Sequence, residues 1–248
     1  MPRPIVTFTT DFGTTDAYAA QMKGAVLARC SEVQLVDVTH QVPPQDVIAG
    51  SFALERAVAT FPAGTIHLAV VDPGVGTNRR LIIVSANNQT VICPDNGIIT
   101  WTYRLHRTVA RELTWRPKQS SNTFHGRDVI APVAGMLAAG ETLDSVAGEE
   151  VHPILAPIDV AVGPVGQIIS FDHYGNAITN LRRPIDLPTH VMINQHSIGP
   201  LRTSYGSVEE FAPLAYVGNA ELIEVGIRNG SARESLQLNV GDEVSLVY

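Results

Sequence analysis

Three acidic turns follow apolar runs in this chain: Asp11 in TFTTDFG, Asp72 in VVDPGVG and Asp95 in PDNG. A carboxylate at the mouth of a strand is how open α/β sheets build sites, with ligands outside the carboxyl ends of their strands. Asp72 has the richest surroundings. The run Ile66 to Val71 stops at Asp72-Pro73, and Gly74-Val75-Gly76-Thr77 follows as a loop free to take unusual backbone angles. Arg79 and Arg80 close the loop seven and eight residues after the acid. A return of the chain there brings a guanidinium back onto Asp72 as a bidentate pair. His125 stands beside Gly126 in TFHGRD, just ahead of an apolar, Ala-rich stretch. Taken alone, one of eight histidines is more often a surface or satisfied core group than a catalyst.

Each turn also has a plainer meaning. Asp-Pro-Gly can be a tight turn with a capping acid, and Asp95-Asn96-Gly97 reads more readily as an ordinary turn than as a ligand. Gly74 to Arg79 imitates the first half of G-x-G-x-x-G, with Arg79 where the third glycine belongs. Rossmann-type loops need a helix next, whereas Leu81-Ile82-Ile83-Val84 is a β-branched run. Asp11-Phe12-Gly13 imitates a kinase motif, but no Gly-rich loop precedes it and the chain has no H-R-D segment.

The elements that must position these groups alternate. A strand at Pro4 to Thr10 leads to a helix, Ala17 to Ala28, for which Asp16 is the expected cap. A strand from Val33 to Val38, a helix opened by Asp46 and stopped at Pro62, and the strand before Asp72 follow. Such alternation predicts a largely parallel sheet flanked by helices. Leu81 to Ser85 and Thr90 to Cys93 flank Asn87-Asn88 as a hairpin. Residues 104–119 read as irregular, and Asp128 reads as the N-cap of a helix from Val129 to Ala139, with Arg127 as its ion-pair partner. Beyond a Gly/Pro-rich stretch the chain turns β-rich, at Val165 to Phe171, Val191 to Ile193, Glu221 to Ile227 and Glu243 to Val247. The expected architecture is an α/β N-terminal domain, residues 1–155, and a smaller all-β C-terminal barrel or sandwich domain, residues 160–248.

Composition narrows the function. The net charge of -7 and the lack of a Lys/Arg cluster argue against a nucleic-acid partner. No apolar run is long enough for a bilayer span, and the start MPRPIVTFTTDFG has no signal-peptide h-region. Two unpaired cysteines, Cys30 and Cys93, fit reduced thiols, so a cytoplasmic location is expected.

Taken together, TFTTDFGTTDAY, VDVTH, VVDPGVGTNRR, PDNG, TFHGRD, FDHYGNAITN and the late NGSA segment resemble the S-adenosyl-L-methionine hydroxide adenosyltransferases, the family that also contains the fluorinase and chlorinase. The resemblance runs in order over nearly the whole chain. It implies hydrolysis of S-adenosyl-L-methionine to adenosine and L-methionine by attack of water at ribose C5′. It implies no metal or organic cofactor, and a homo-oligomer, a trimer, with sites at subunit interfaces. The catalytic trio falls on Asp72, Arg79 and His125, with Asp72 also meeting substrate. Asp11 corresponds to the ribose-binding carboxylate, Asp172 to the group on the methionine ammonium, Asn176 to an adenine-binding amide and Tyr205 to a stacking aromatic. Asn219 takes a place where the family often has Ser, and Glu224 and Ile227 fall near the adenine. In the halogenases an aromatic stands where Gln45 does.

Two other classes remain open on residues alone. A metal-dependent phosphoesterase would use Asp11, Asp72, Asp95 and His125 as hard ligands. A non-catalytic sensor would bind S-adenosyl-L-methionine without turning it over.

Overall fold

The computed structural model describes residues 3–161, 163–194 and 196–248. The chain divides into two compact units, Met1–Ile158 and Asp159–Tyr248.

The first unit contains β1 (Ile5–Thr10), α1 (Tyr18–Leu27), β2 (Gln34–Thr39), α2 (Val47–Thr60), β3 (Ile66–Val70), β4 (Leu81–Ala86), β5 (Gln89–Pro94), α3 (Thr100–Leu105), β6 (Thr108–Leu113), α4 (Ala131–Ala138) and β7 (Ala147–Glu150). Its seven strands lie in the order β2-β1-β3-β5-β4-β6-β7. The β2–β1, β1–β3 and β3–β5 ladders are parallel. The β5–β4, β4–β6 and β6–β7 ladders are antiparallel, so only β4 and β7 oppose the common strand direction.

Both faces of the sheet are buried, and the strand period shows how. In β3, Leu68 and Val70 join a core with Met22 and Val26 of α1 and Val133 of α4. Their neighbours Ala69 and Val71 join a second core with Leu54 and Val58 of α2. One polar line crosses the sheet. The Thr7 hydroxyl lies 2.7 Å from His67 Nδ1, His67 Nε2 meets the Gln89 carbonyl oxygen, and the Gln89 amide donates to Val58 O at 2.8 Å and Phe61 O at 3.1 Å. Since that amide nitrogen is committed as a donor, His67 donates from Nε2, and burial, which lowers its pKa, favours the neutral ring with Nδ1 accepting from Thr7.

Some local expectations are corrected. Asp46 caps α2, accepting from Ala49 N at 2.9 Å, but at α1 the N-cap position is Ala17, not Asp16, and no side chain caps the helix. Asp128 is not an N-cap: the helix starts earlier, through a π-helical turn at Gly126–Ile130 that runs into α4. Its carboxylate instead accepts from Ser121 N at 2.7 Å and from Arg127, the partner expected. Residues 104–119 include β6, an interior strand whose partial exposure and mixed charge hide its period.

The second unit contains β8 (Val165–Phe171), β9 (Ala177–Arg182), β10 (His190–Ile193), β11 (His196–Gly199), β12 (Leu201–Arg202), β13 (Pro213–Val217), β14 (Leu222–Ile227), α5 (Ala232–Ser235) and β15 (Glu243–Val247). Eight strands form one sheet, β11-β10-β15-β8-β9-β14-β13-β12, and β11 near one end also packs on β13 near the other, giving a nearly closed barrel. Ile168, Leu181, Val191, Ile223, Val225 and Val244 fill its core. The unit is not wholly β, because Ser231 caps the short α5 by accepting from Glu234 N at 3.2 Å.

Candidate active site

The parallel register brings the acids of the first unit together. Thr10 pairs with Val70 across β1 and β3, so the chain leaves both strands at the same edge, with Asp11 directly after β1 and Asp72 two residues after β3. The loop after Asp72 folds on itself: Val75 N donates to Asp72 O at 3.2 Å, and the Thr77 hydroxyl donates to Gly74 O at 2.7 Å. Gly76 sits at φ +81°, and a Cβ there would lie 2.8 Å from Asn122 O, so the loop presses on the segment that leads to His125.

That folding returns Arg79 to Asp72. Nε lies 2.7 Å from Oδ1 and 2.8 Å from Oδ2, and one terminal nitrogen also bonds Oδ2. Both side chains are buried, 9% and 6% exposed. The same guanidinium nitrogen lies 3.2 Å from His125 Nδ1. A guanidinium only donates, so Nδ1 is the accepting nitrogen and His125 is neutral with its proton on Nε2. Its pKa is lowered accordingly: burial is the larger cause, Arg79 and then Arg116 add to it, and Asp72 and Asp128 oppose it. Asp72 receives three N–H contacts, two of them on Oδ2, which leaves Oδ1 with capacity for one more donor.

Asp72, His125 and Asp11 line one cavity of about 260 Å³, together with Gln45, Phe12 and Phe124 among others. Arg79 backs Asp72 and is not part of the wall. Gln45, at φ +64°, donates its backbone N–H to Asp11 Oδ2 at 2.8 Å. Phe12, Tyr18 and Phe124 meet ring to ring at 5.3 to 5.8 Å beside it. Asp95 is absent from this group: only 1% exposed, it is held by Arg80 at 2.6 Å. The structure therefore does not bring together the four ligands that a phosphoesterase site would use. Among the described residues no cluster of three or more His, Cys, Asp or Glu is placed to hold a metal ion.

The second unit has its own cavity, of about 550 Å³, mostly apolar in lining, whose walls include Asp172, Asn176, Tyr205, Tyr216 and Ile227. Asp172 is fixed by the turn it begins. Oδ1 accepts from Tyr174 N at 2.9 Å and Asn176 N at 2.8 Å, and Oδ2 accepts from the Asn176 amide at 2.7 Å. The Tyr205 and Tyr216 hydroxyls are 2.7 Å apart, and burial, the Tyr205 contact and Glu224 push the Tyr216 phenol far up. Glu224 is buried on β14 directly across from Tyr216, and Asn219 is exposed between β13 and β14; neither lines the cavity. Tyr216 had no local signal in the sequence, because it reads as one more apolar residue in PLAYV, and Phe124 is a lone aromatic in the polar stretch SSNTFHGRD, which marks no partner for it.

Fold and cavities define a two-domain protein, a doubly covered α/β unit joined to a nearly closed β-barrel, each with a pocket that holds at least one carboxylate. The family model for the SAM hydroxide adenosyltransferase N-terminal domain matches residues 6–147, and that for the C-terminal domain matches residues 166–245. The chain belongs to this family. It is 39% identical to the (R)-S-adenosyl-L-methionine hydrolase of Thermus thermophilus, over 99% of this chain and all of that protein. It is 36% identical to the (R)-S-adenosyl-L-methionine hydrolase of Salinispora tropica, over 98% of this chain and 97% of that one. A fluorinase from Actinopolyspora mzabensis is 29% identical over 73% of this chain and 72% of its own length. Among solved structures, a conserved hypothetical protein from Thermus thermophilus superposes with a TM-score of 0.84 at 40% identity, covering 99% of this chain and 100% of its own.

Proposed function

We propose that this protein hydrolyses S-adenosyl-L-methionine to adenosine and L-methionine, with a water oxygen bonding to ribose C5′ as the C5′–sulfur bond breaks. The observation that carries the proposal is that Asp72, His125 and Asp11 share one small cavity while Arg79, behind its wall, bonds both Asp72 and His125. Hydrolase relatives matched over nearly their whole length support it further. A sulfonium leaves as a neutral thioether, so no general acid is needed, and the scarce reagent at neutral pH is an activated oxygen nucleophile. The remaining acceptor position on Asp72 Oδ1 takes a proton of the attacking water, and His125 orients the water. Arg79 holds the carboxylate and stabilises the developing hydroxide charge. Orientation of the water behind C5′ contributes on the order of 7 to 11 kcal/mol.

In the same proposal Asp11 receives the ribose diol and Asp172 the methionine ammonium. Asn176 reads the adenine edge, Tyr205 stacks on the ring, and Glu224 and Ile227 lie near it, with Asn219 toward the methionine end. No cofactor takes part, and the protein works as a homotrimer. Incubation with S-adenosyl-L-methionine tests this: adenosine and methionine should appear in equal amounts, undiminished by a chelator. Ligand binding in calorimetry with no adenosine released would refute it in favour of a sensor. Loss of turnover with the chelator would point instead to metal-assisted hydrolysis. Light scattering should find a trimer, and an active monomer would contradict that part.

A further inference from the structure

The PDNG turn reads in sequence as an ordinary turn after a strand, and the proposed chemistry leaves it without a task. Its surroundings give it one. β3 and β5 are parallel neighbours, so Asp95 and Asn96 emerge beside the segment that carries Asp72. The Asn96 amide nitrogen donates to Val71 O at 2.8 Å, and its oxygen accepts from Ile98 N at 3.2 Å, which holds the amide in one orientation. Val71 is fully buried, and that carbonyl belongs to the peptide whose nitrogen is Asp72. Because the peptide is planar, fixing the carbonyl fixes the plane that carries the Asp72 nitrogen and Cα, and so the point from which its side chain departs.

Asp95 grips the other end of the loop. Its backbone N–H donates to Arg80 O at 3.0 Å, and its Oδ2 accepts from Arg80 Nε at 3.0 Å and a terminal nitrogen at 2.6 Å. Oδ1 accepts from Ile154 N at 2.7 Å, and Arg80 also donates to His152 O at 3.2 Å. The tandem arginines thus part, Arg79 to Asp72 and Arg80 to Asp95. The turn itself is braced, since Gly97 adopts φ +100° with Ala156 N only 3.0 Å from where a Cβ would sit, and the Thr100 hydroxyl bonds Gly97 O at 2.6 Å.

We propose that Asp95 and Asn96 are positioning residues: one dipeptide holds the residue before Asp72 and the residue after Arg79, and so sets the geometry of the carboxylate–guanidinium pair. The kinetic part of this inference rests on the function proposed above. The variants Asn96→Ala and Asp95→Asn test it. The first removes the donor to Val71; the second keeps the shape and an oxygen for Ile154 N while withdrawing the charge from Arg80. Since a misplacement of about 1 Å can cost on the order of 10²-fold in rate, kcat per folded molecule should fall by roughly that factor in Asn96→Ala while KM stays near wild type. Asp95→Asn should fall in the same direction. The Arg79 Nε–H resonance, assigned by its loss in Arg79→Lys, should exchange with water faster in both variants than in the wild type.

A purely structural turn would lower the unfolding midpoint yet leave kcat per folded molecule and the Nε–H protection unchanged, and that result overturns the proposal. Should Asn96→Ala fail to fold, Asp95→Asn decides by the same two readouts. If the wild-type protein releases no adenosine, the functional reading fails separately, and the Arg79 exchange rate still decides whether the dipeptide positions the pair.

Discussion

Replacing Asp72 by alanine separates chemistry from stability. In the folded protein its carboxylate and the Arg79 guanidinium share three N–H contacts and are 6% and 9% exposed. Removing one partner of such a buried pair strands the other charge, at roughly 3 to 5 kcal/mol of stability. Domains of this kind hold about 5 to 15 kcal/mol in total, so the variant should unfold at a lower temperature and, from the middle of that range upward, still be folded at 25 °C. Turnover should suffer differently. Loss of the group that takes the proton of water costs about 10²- to 10⁴-fold in kcat. At 1.36 kcal/mol per tenfold that is roughly 2.7 to 5.4 kcal/mol of barrier. The ribose, adenine and methionine contacts remain, so the Kd for S-adenosyl-L-methionine should move by less than about tenfold. The assay is adenosine release per folded molecule, with the folded fraction taken from circular dichroism and Kd from calorimetry. Turnover within about tenfold of wild type would refute the role given to Asp72.

Acidification should act through His125, whose pKa lies below the ordinary imidazole value of 6.5 because of burial and the neighbouring Arg79. The acid limb of kcat should therefore fall below pH 6.5. His67, also lowered chiefly by burial, shares the sign: its stabilising contribution is complete above 6.5 and lost as pH falls through the folded-state value. Urea midpoints that rise on going from neutral to acidic pH would contradict this. Gly76→Ala should lower both stability and turnover, since the new Cβ would stand 2.8 Å from Asn122 O at φ +81°; strain of this kind is about 1 to 3 kcal/mol, read from thermal unfolding. Tyr216→Phe should raise KM more than it lowers kcat, because it frees the Tyr205 hydroxyl held at 2.7 Å without touching the Asp72 loop.

The parts of the fold that could be read from sequence are those whose period was clean. The β3 run, the Asp46 cap and the Asn87-Asn88 hairpin were legible because burial on both faces, a capping acid and left-handed asparagines leave local marks. β6 was not, since only Ala110 and Leu113 of its six residues are buried, three positions apart, and Arg111-Glu112 stand between them, which breaks the period of two. The start of the last N-terminal helix was misplaced because a π-turn offers no cap to recognise. At the site, the return of Arg79 onto Asp72 followed from a glycine-containing loop that separates them by seven positions, a local event. His125 joins them across 46 residues through packing of its helix on the sheet, which spacing alone does not reveal. The same holds for Asn96, whose partner Val71 lies 25 residues away, just past the end of β3.

The origin of the product oxygen tests attack of water at C5′ most directly. With S-adenosyl-L-methionine in ¹⁸O-labelled water, mass spectrometry should find one heavy oxygen in adenosine, at C5′, and none in methionine. Unlabelled adenosine, or label carried by methionine, would contradict attack of an activated water on the ribose carbon.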